Sequence, residues 1–286
     1  MYLETPENFE TRANLETLGV EAPLPYLAHA NQAPVTYATP PNGGMANYEG
    51  EYADHAMAIQ DGRAIAAKLS LDRQGFLLVR HQSGVADFYD DDAVRAAYYP
   101  EVERLVADAT GASRVVVFDH TRRADGGGGA GDKAERAPVR RIHNDYTEKS
   151  APRRVRDLFD APEAEALLSR RFSQINVWRP IVGPVRRSPL ALLDAQSVAP
   201  NDLVKTDLVF ADRVGENYYV THNPEHQWFY FPDMGADEAV LIKGYDSATD
   251  GRARFTPHTS FEDPTTPDGA PPRESIEVRT FAFFED

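Results

Sequence analysis

The chain has 286 residues, with 30 Lys plus Arg against 45 Asp plus Glu, a formal net charge of −15 and no cysteine. This length can bury a sizeable core, and the acidic balance argues against nucleic acid or an anionic membrane surface as partner. Without thiols, disulfide scaffolds, thiolate zinc sites, iron–sulfur clusters and cysteine nucleophiles are excluded, so any metal must sit on His, Asp and Glu.

Met1 to Leu18 carries Glu and Asn where a signal peptide needs a basic start and an apolar run. No stretch is as apolar and as long as a membrane span, and a soluble, cytoplasmic protein is the expectation. Residues 1–64 read as an irregular arm, with a turn cluster at Pro40-Pro41-Asn42-Gly43-Gly44.

Residues 65–171 read as a mixed α/β lead-in. A strand at Phe76–Val79 follows the Gly75 break, and Asp90-Asp91-Asp92 opens a helix with acids at its positive end. That helix runs to about Ala109 and stops at Gly111, and the β-branched run Ser113–Arg123 forms the next strand. Ala124 to Val139 holds Gly126-Gly127-Gly128-Gly129 and Gly131 but lacks the Gly-Lys-Ser/Thr ending of a phosphate loop. It reads as a surface loop or lid.

From Phe172 onward, apolar and β-branched runs recur between Pro, Gly, Asn and Asp. They are Phe172–Ile181, Leu190–Val198, Leu203–Phe210, Tyr218–His222, Gln227–Phe231, Ala239–Tyr245, Arg254–Phe261 and Ser275–Phe284. The expected architecture is one domain over 1–286, mainly β with flanking helices (α+β), with a double-stranded β-helix (jelly-roll) core over 172–286.

Two patterns carry chemistry. In Arg141-Ile142-His143-Asn144-Asp145, His143 and Asp145 are two apart, so on extended backbone both side chains face one way and can grip one ion. Near the C-terminus, Arg254-Phe255-Thr256-Pro257-His258 is separated by a Pro/Gly/Asp-rich turn from Arg273-Glu274-Ser275, where Arg273 and Ser275 again share a face. If the two segments pair antiparallel, His258 lies beside a guanidinium and a hydroxyl. Two His and one carboxylate with open positions are the facial triad of non-haem Fe(II) oxygenases, and a guanidinium fork suits a dicarboxylate cosubstrate.

This order of His-x-Asp, a distal His and Arg-x-Ser resembles the 2-oxoglutarate and Fe(II)-dependent oxygenases. Phe118-Asp119-His120-Thr121-Arg122-Arg123, Asn176-Val177-Trp178-Arg179-Pro180, Trp228-Phe229-Tyr230-Phe231-Pro232, Lys243-Gly244-Tyr245-Asp246-Ser247 and Pro257-His258-Thr259-Ser260-Phe261 are similar to the CmcJ/NvfI-type (asaB-type hydroxylase/desaturase) family. The resemblance covers roughly residue 65 to the C-terminus. It implies Fe(II) on His143, Asp145 and His258, with 2-oxoglutarate bound by Arg273 and Ser275, Asn176 touching cosubstrate or substrate, and dioxygen as co-reactant. His258 is preferred to His226 as the distal ligand because it stands one strand before Arg273-x-Ser275, the order in the resembling oxygenases.

Hydroxylation or desaturation of a small-molecule secondary metabolite is the activity the resemblance implies, with Arg122, Arg179 and His226 as candidates to meet the substrate. A homo-oligomer or a companion biosynthetic enzyme is the protein partner it allows. Two other readings stay open from the residues: a non-catalytic jelly-roll binding protein, and a zinc-type hydrolytic site without cosubstrate.

Overall fold

The computed structural model describes residues 19–32, 34–37, 47–125 and 136–285. Along the chain, strands β1 (Gly19–Leu27), β2 (Val35–Tyr37), β3 (Asn47–Glu49) and β4 (Tyr52–Asp61) come first, then β5 (Phe76–Arg80) and β6 (Arg114–Ala124). After β7 (His143–Asn144) and two helices, Ser150–Leu158 and Ala161–Leu168, the chain is almost all strand. It continues through β8 (Phe172–Val182), β9 (Leu190–Leu193), β10 (Leu203–Val209) and β11 (Val214–Val220). The last four are β12 (Trp228–Tyr230), β13 (Glu238–Asp246), β14 (His258–Ser260) and β15 (Glu274–Phe283).

These strands form two sheets. One runs β1-β4-β12-β9-β14-β7-β11-β10-β2-β3 and the other β5-β13-β8-β15-β6. Trp178, Val240 and Ile242 of the smaller sheet pack against Leu190, Leu192 and Phe229 of the larger, so apolar side chains fill the space between them. Mostly-β architecture with two facing, curled sheets is the jelly roll expected from the strand spacing.

The strand β8 (FSQINVWRPIV) explains how one segment serves two layers. It is buried on both faces along most of its length. Ile175 and Val177 point outward to a cluster with Val94, Tyr98, Val102 and Val106 of the preceding helical stretch, while Trp178 points between the sheets. That helical stretch begins where Asp90 accepts from the N–H groups of Asp92 and Ala93 and ends at Gly111, whose φ of 72° is one that glycine adopts without steric cost.

Residues 1–64 depart from the expected irregular arm at β1 to β4. β1 and β4 pair antiparallel from Gly19↔Gln60 to Leu27↔Tyr52, and β4 also pairs with β12. Pro23 and Pro25 hid the strand in the sequence. They are tolerated because β1 lies at the edge of its sheet, where a missing N–H costs no ladder bond. The expected strand Arg254–Phe261 contracts to β14, and Leu190–Val198 ends at Leu193, where Asp194 caps a short turn over Ala195–Ser197. The turn cluster Pro40–Gly44 and the glycine run Gly126–Gly131 lie outside the described residues. No helix among the described residues is long and apolar enough to cross a membrane.

Candidate active site

β7 is only two residues long, yet it is held on both sides. His143 pairs with Tyr219 of β11 and stands in register opposite His258 of β14. Antiparallel partners directly opposite each other have their side chains on one face, so sheet pairing itself brings residues 143 and 258 together. Their ring centroids are 4.6 Å apart. Asp145, two residues beyond His143, returns to the same side, with Oδ1 3.5 Å from His143 Nε2. One ligand atom from each of His143, Asp145 and His258 lies within 4.8 Å of the other two.

Both imidazoles are oriented by the same local device. Nδ1 of His143 bonds the carbonyl of Arg141 at 2.8 Å, and Nδ1 of His258 bonds the carbonyl of Thr256 at 3.1 Å. A carbonyl only accepts, so each Nδ1 carries the proton and each Nε2 keeps its lone pair for an ion. Burial, with the neighbouring His258 imidazole, pushes His143 down to about 4, which keeps it neutral near pH 7. Burial works against the Asp145 charge, but Arg279 and the two imidazoles outweigh it and hold the carboxyl well below its usual range.

Asp145 is also fixed in orientation. Its Oδ2 accepts from Asn176 Nδ2 at 2.7 Å, and Asn176 Oδ1 accepts in turn from Gln174. Arg279 Nε lies 3.7 Å from the same Oδ2 and binds Asp119 at 2.8 Å and Glu277 at 3.3 Å. Two imidazoles and one carboxylate oxygen, with their other polar atoms already engaged, make a donor set that can hold one divalent transition metal with positions left open.

The cavity over these three side chains also reaches Arg273, with Arg123, Trp178 and Leu190 among its walls. Arg273 is 3% exposed, stacks over Trp178 at 5.6 Å and donates Nη1 to the carbonyl of Ser188, while its buried Nε has no partner among the described residues. Burial, then the nearby Arg123, pulls its guanidinium down to about 9, still charged at neutral pH. A buried cation with an open donor edge suits a carboxylate. Ser275 faces the same way two residues along, and its hydroxyl reaches the carbonyl of Arg123 at 3.5 Å.

The structure thus brings together His143, Asp145, His258, Arg273, Ser275 and Asn176. It places the three other candidates elsewhere. Arg179 points to the opposite face of β8, over Phe88 and Tyr98, and bonds His81 and the carbonyl of Ala236. Arg122 lies on the outer face of β6, bonded to Asp91 and the carbonyl of Phe88. His226 is buried between Asp202 at 3.1 Å and the Tyr26 hydroxyl at 3.0 Å, which satisfies both ring nitrogens. For the two arginines the reason is the two-residue period of a strand: Trp178 and Arg123 line the cavity, so their neighbours Arg179 and Arg122 cannot.

Sequence reasoning gave no role to Glu277 and Arg279. The signal was present, since Ser275, Glu277 and Arg279 continue along β15 the two-residue alternation that starts at Arg273 just before it.

A family model described as "Oxidoreductase/YMDC permease-like domain" matches residues 24–283. The hydroxylase/desaturase efuI of Hormonema carpetanum is 34% identical over 267 residues, covering 86% of this chain and 89% of that protein. The Fe(II)/2-oxoglutarate-dependent dioxygenase nvfI of Aspergillus novofumigatus is 30% identical over 255 residues, 86% of this chain and 90% of its own. The solved structure of the iron and alpha-ketoglutarate-dependent endoperoxidase NvfI superposes with a TM-score of 0.82 at 28% identity, over 94% of this chain and 100% of that one. The convergent His-Asp-His set, the buried arginine behind it and these likenesses agree, and the chain belongs to the asaB/NvfI-type hydroxylase/desaturase family of Fe(II)/2-oxoglutarate-dependent oxygenases.

Proposed function

We propose that this protein is an Fe(II)- and 2-oxoglutarate-dependent dioxygenase that hydroxylates or desaturates an unactivated C–H bond of a small-molecule secondary metabolite. The observation that carries the reading is the meeting, in one cavity, of the His143, Asp145 and His258 donor set with the open-edged guanidinium of Arg273. The three donors would hold Fe(II), and Arg273 with Ser275 would hold the far carboxylate of 2-oxoglutarate. Bound iron, cosubstrate and dioxygen supply the oxidising power, with 2-oxoglutarate leaving as succinate and carbon dioxide.

The chain's own residues set the conditions for that chemistry. The carbonyls of Arg141 and Thr256 keep both imidazoles in the tautomer that offers Nε2. Asn176 and Arg279 keep Asp145 charged and turned toward His143. Trp178 and Leu190 give the cavity an apolar side that limits water near the reacting groups. Arg122 and Arg179 take no part in this reading, since they bond groups on the other faces of their strands, and neither does His226, whose two ring nitrogens are bonded to Asp202 and Tyr26. We place the reaction in the cytoplasm.

Anaerobic addition of Fe(II) and 2-oxoglutarate should give a weak visible charge-transfer band, absent with either component alone and lost in Arg273→Ala. A folded protein that forms no such band refutes the proposal. Activity that persists without 2-oxoglutarate would instead point to hydrolytic zinc chemistry.

A further inference from the structure

Among the described residues, Ser188 is the one buried, non-glycine residue in the left-handed region that also touches the candidate site. Its φ is 50° and it is 3% exposed. An L-residue adopts that backbone only at a steric cost, more so directly before a proline such as Pro189. Strain of this kind persists only where surrounding contacts enforce it, and such positions cluster at functional sites.

The contacts form a closed ring of three residues from three separate parts of the chain. The carbonyl of Ser188 accepts from Arg273 Nη1 at 2.6 Å. The hydroxyl of Ser188 donates to Asp125 Oδ2 at 2.7 Å. The backbone N–H of Asp125 donates to the carbonyl of Arg273 at 2.9 Å. Arg187 Nε, 2.9 Å from the same Asp125 oxygen, holds that carboxylate in place.

This ring settles which edge of the Arg273 guanidinium is free. Nη1 is tied back to Ser188, while the Nε side has no partner among the described residues. A guanidinium binds a carboxylate best when two parallel N–H groups are fixed in one plane. On a long side chain that fixation has to come from a neighbour.

We infer that Ser188, anchored by Asp125, is a positioning residue that aims the Arg273 fork at the far carboxylate of 2-oxoglutarate. The inference rests on the oxygenase reading above and adds a device to it: the left-handed backbone at Ser188 exists to turn its carbonyl onto Arg273.

The test titrates 2-oxoglutarate anaerobically into the Fe(II)-loaded full chain, following the charge-transfer band, with Mn(II) affinity measured in parallel. Ser188→Ala and Asp125→Ala should each raise the dissociation constant for 2-oxoglutarate roughly tenfold, leaving Mn(II) affinity within about twofold. The double variant should be no weaker than the worse single one, because both break the same ring. If Ser188→Ala does not accumulate as folded protein, Ser188→Gly takes its place, since glycine accepts the same φ without strain and also lacks the hydroxyl.

A native band with unchanged cosubstrate affinity in these variants overturns this inference alone. Equal losses of Mn(II) and 2-oxoglutarate affinity overturn it too, since they mark a general structural role. No band in the native protein overturns the oxygenase reading and this inference with it.

Discussion

The side-chain oxygen of Asn144 accepts the backbone N–H of Thr256 at 2.9 Å, although the two residues are 112 positions apart. Asn144 stands between His143 and Asp145, and its side chain turns to the other side of β7. Its amide also donates to the carbonyls of Tyr146 and Gly244. Thr256 supplies the carbonyl that orients His258. One buried amide therefore fixes the support of the distal histidine from the midst of the other two ligands.

Asn144→Ala should consequently weaken metal binding without touching a ligand. The expected loss is about 10- to 100-fold in Fe(II) or Mn(II) affinity, with about 1–3 kcal/mol of stability from the orphaned Thr256 N–H. Isothermal titration with Mn(II) and urea unfolding measure the two effects, and unchanged affinity would contradict the role.

Removing any ligand directly should separate binding from folding. His143→Ala, Asp145→Ala and His258→Ala should each abolish detectable Fe(II) binding, yet shift the melting temperature by only a few degrees, because a core of this size does not depend on the ion. A variant that unfolds while its native parent binds no metal would mark these residues as structural.

Asn176 tests the support of the carboxylate. Asn176→Ala removes the 2.7 Å bond to Asp145 Oδ2, freeing the carboxylate to rotate. The expected result is roughly tenfold weaker Fe(II) binding, with 2-oxoglutarate affinity of the metal-saturated protein little changed. Loss of cosubstrate binding alone would show instead that Asn176 touches the cosubstrate.

A pH dependence follows from Asp246, which is fully buried and accepts from Lys243 at 2.9 Å, Arg171 at 2.8 Å and Ser173 at 2.8 Å. Burial opposes its charge, but Arg171 and Lys243 outweigh that and leave the carboxyl below its ordinary value. A depressed folded value means the stabilisation is complete above about pH 4 and is lost as pH falls through the folded pKa. Unfolding free energy should therefore drop on the acid side of pH 4, and Asp246→Asn should flatten that drop. Lys243→Met, which strands part of the buried pair, should cost roughly 3 kcal/mol at pH 7; urea midpoints would reveal it.

The sequence made the ligands readable because strand chemistry is periodic. His-x-Asp and Arg-x-Ser each state which side chains share a face before any partner strand is known. The same rule, applied to neighbours, would have turned Arg122 and Arg179 away from the cavity, since Arg123 and Trp178 line it. What stayed hidden was long-range. Nothing local in Ser188 announces a left-handed backbone, and nothing in Asn144 announces a partner at Thr256. β1 was obscured because its prolines read as turns, and only its place at a sheet edge makes them compatible with a strand.

The register of β7 against β14 also bears on how such chains can diverge. Because His143 sits directly opposite His258, a slip of one residue in either strand would turn an imidazole to the wrong side and dismantle the centre outright. Single-residue insertions between Arg141 and Asp145 or between Thr256 and His258 should therefore be purged as such chains diverge.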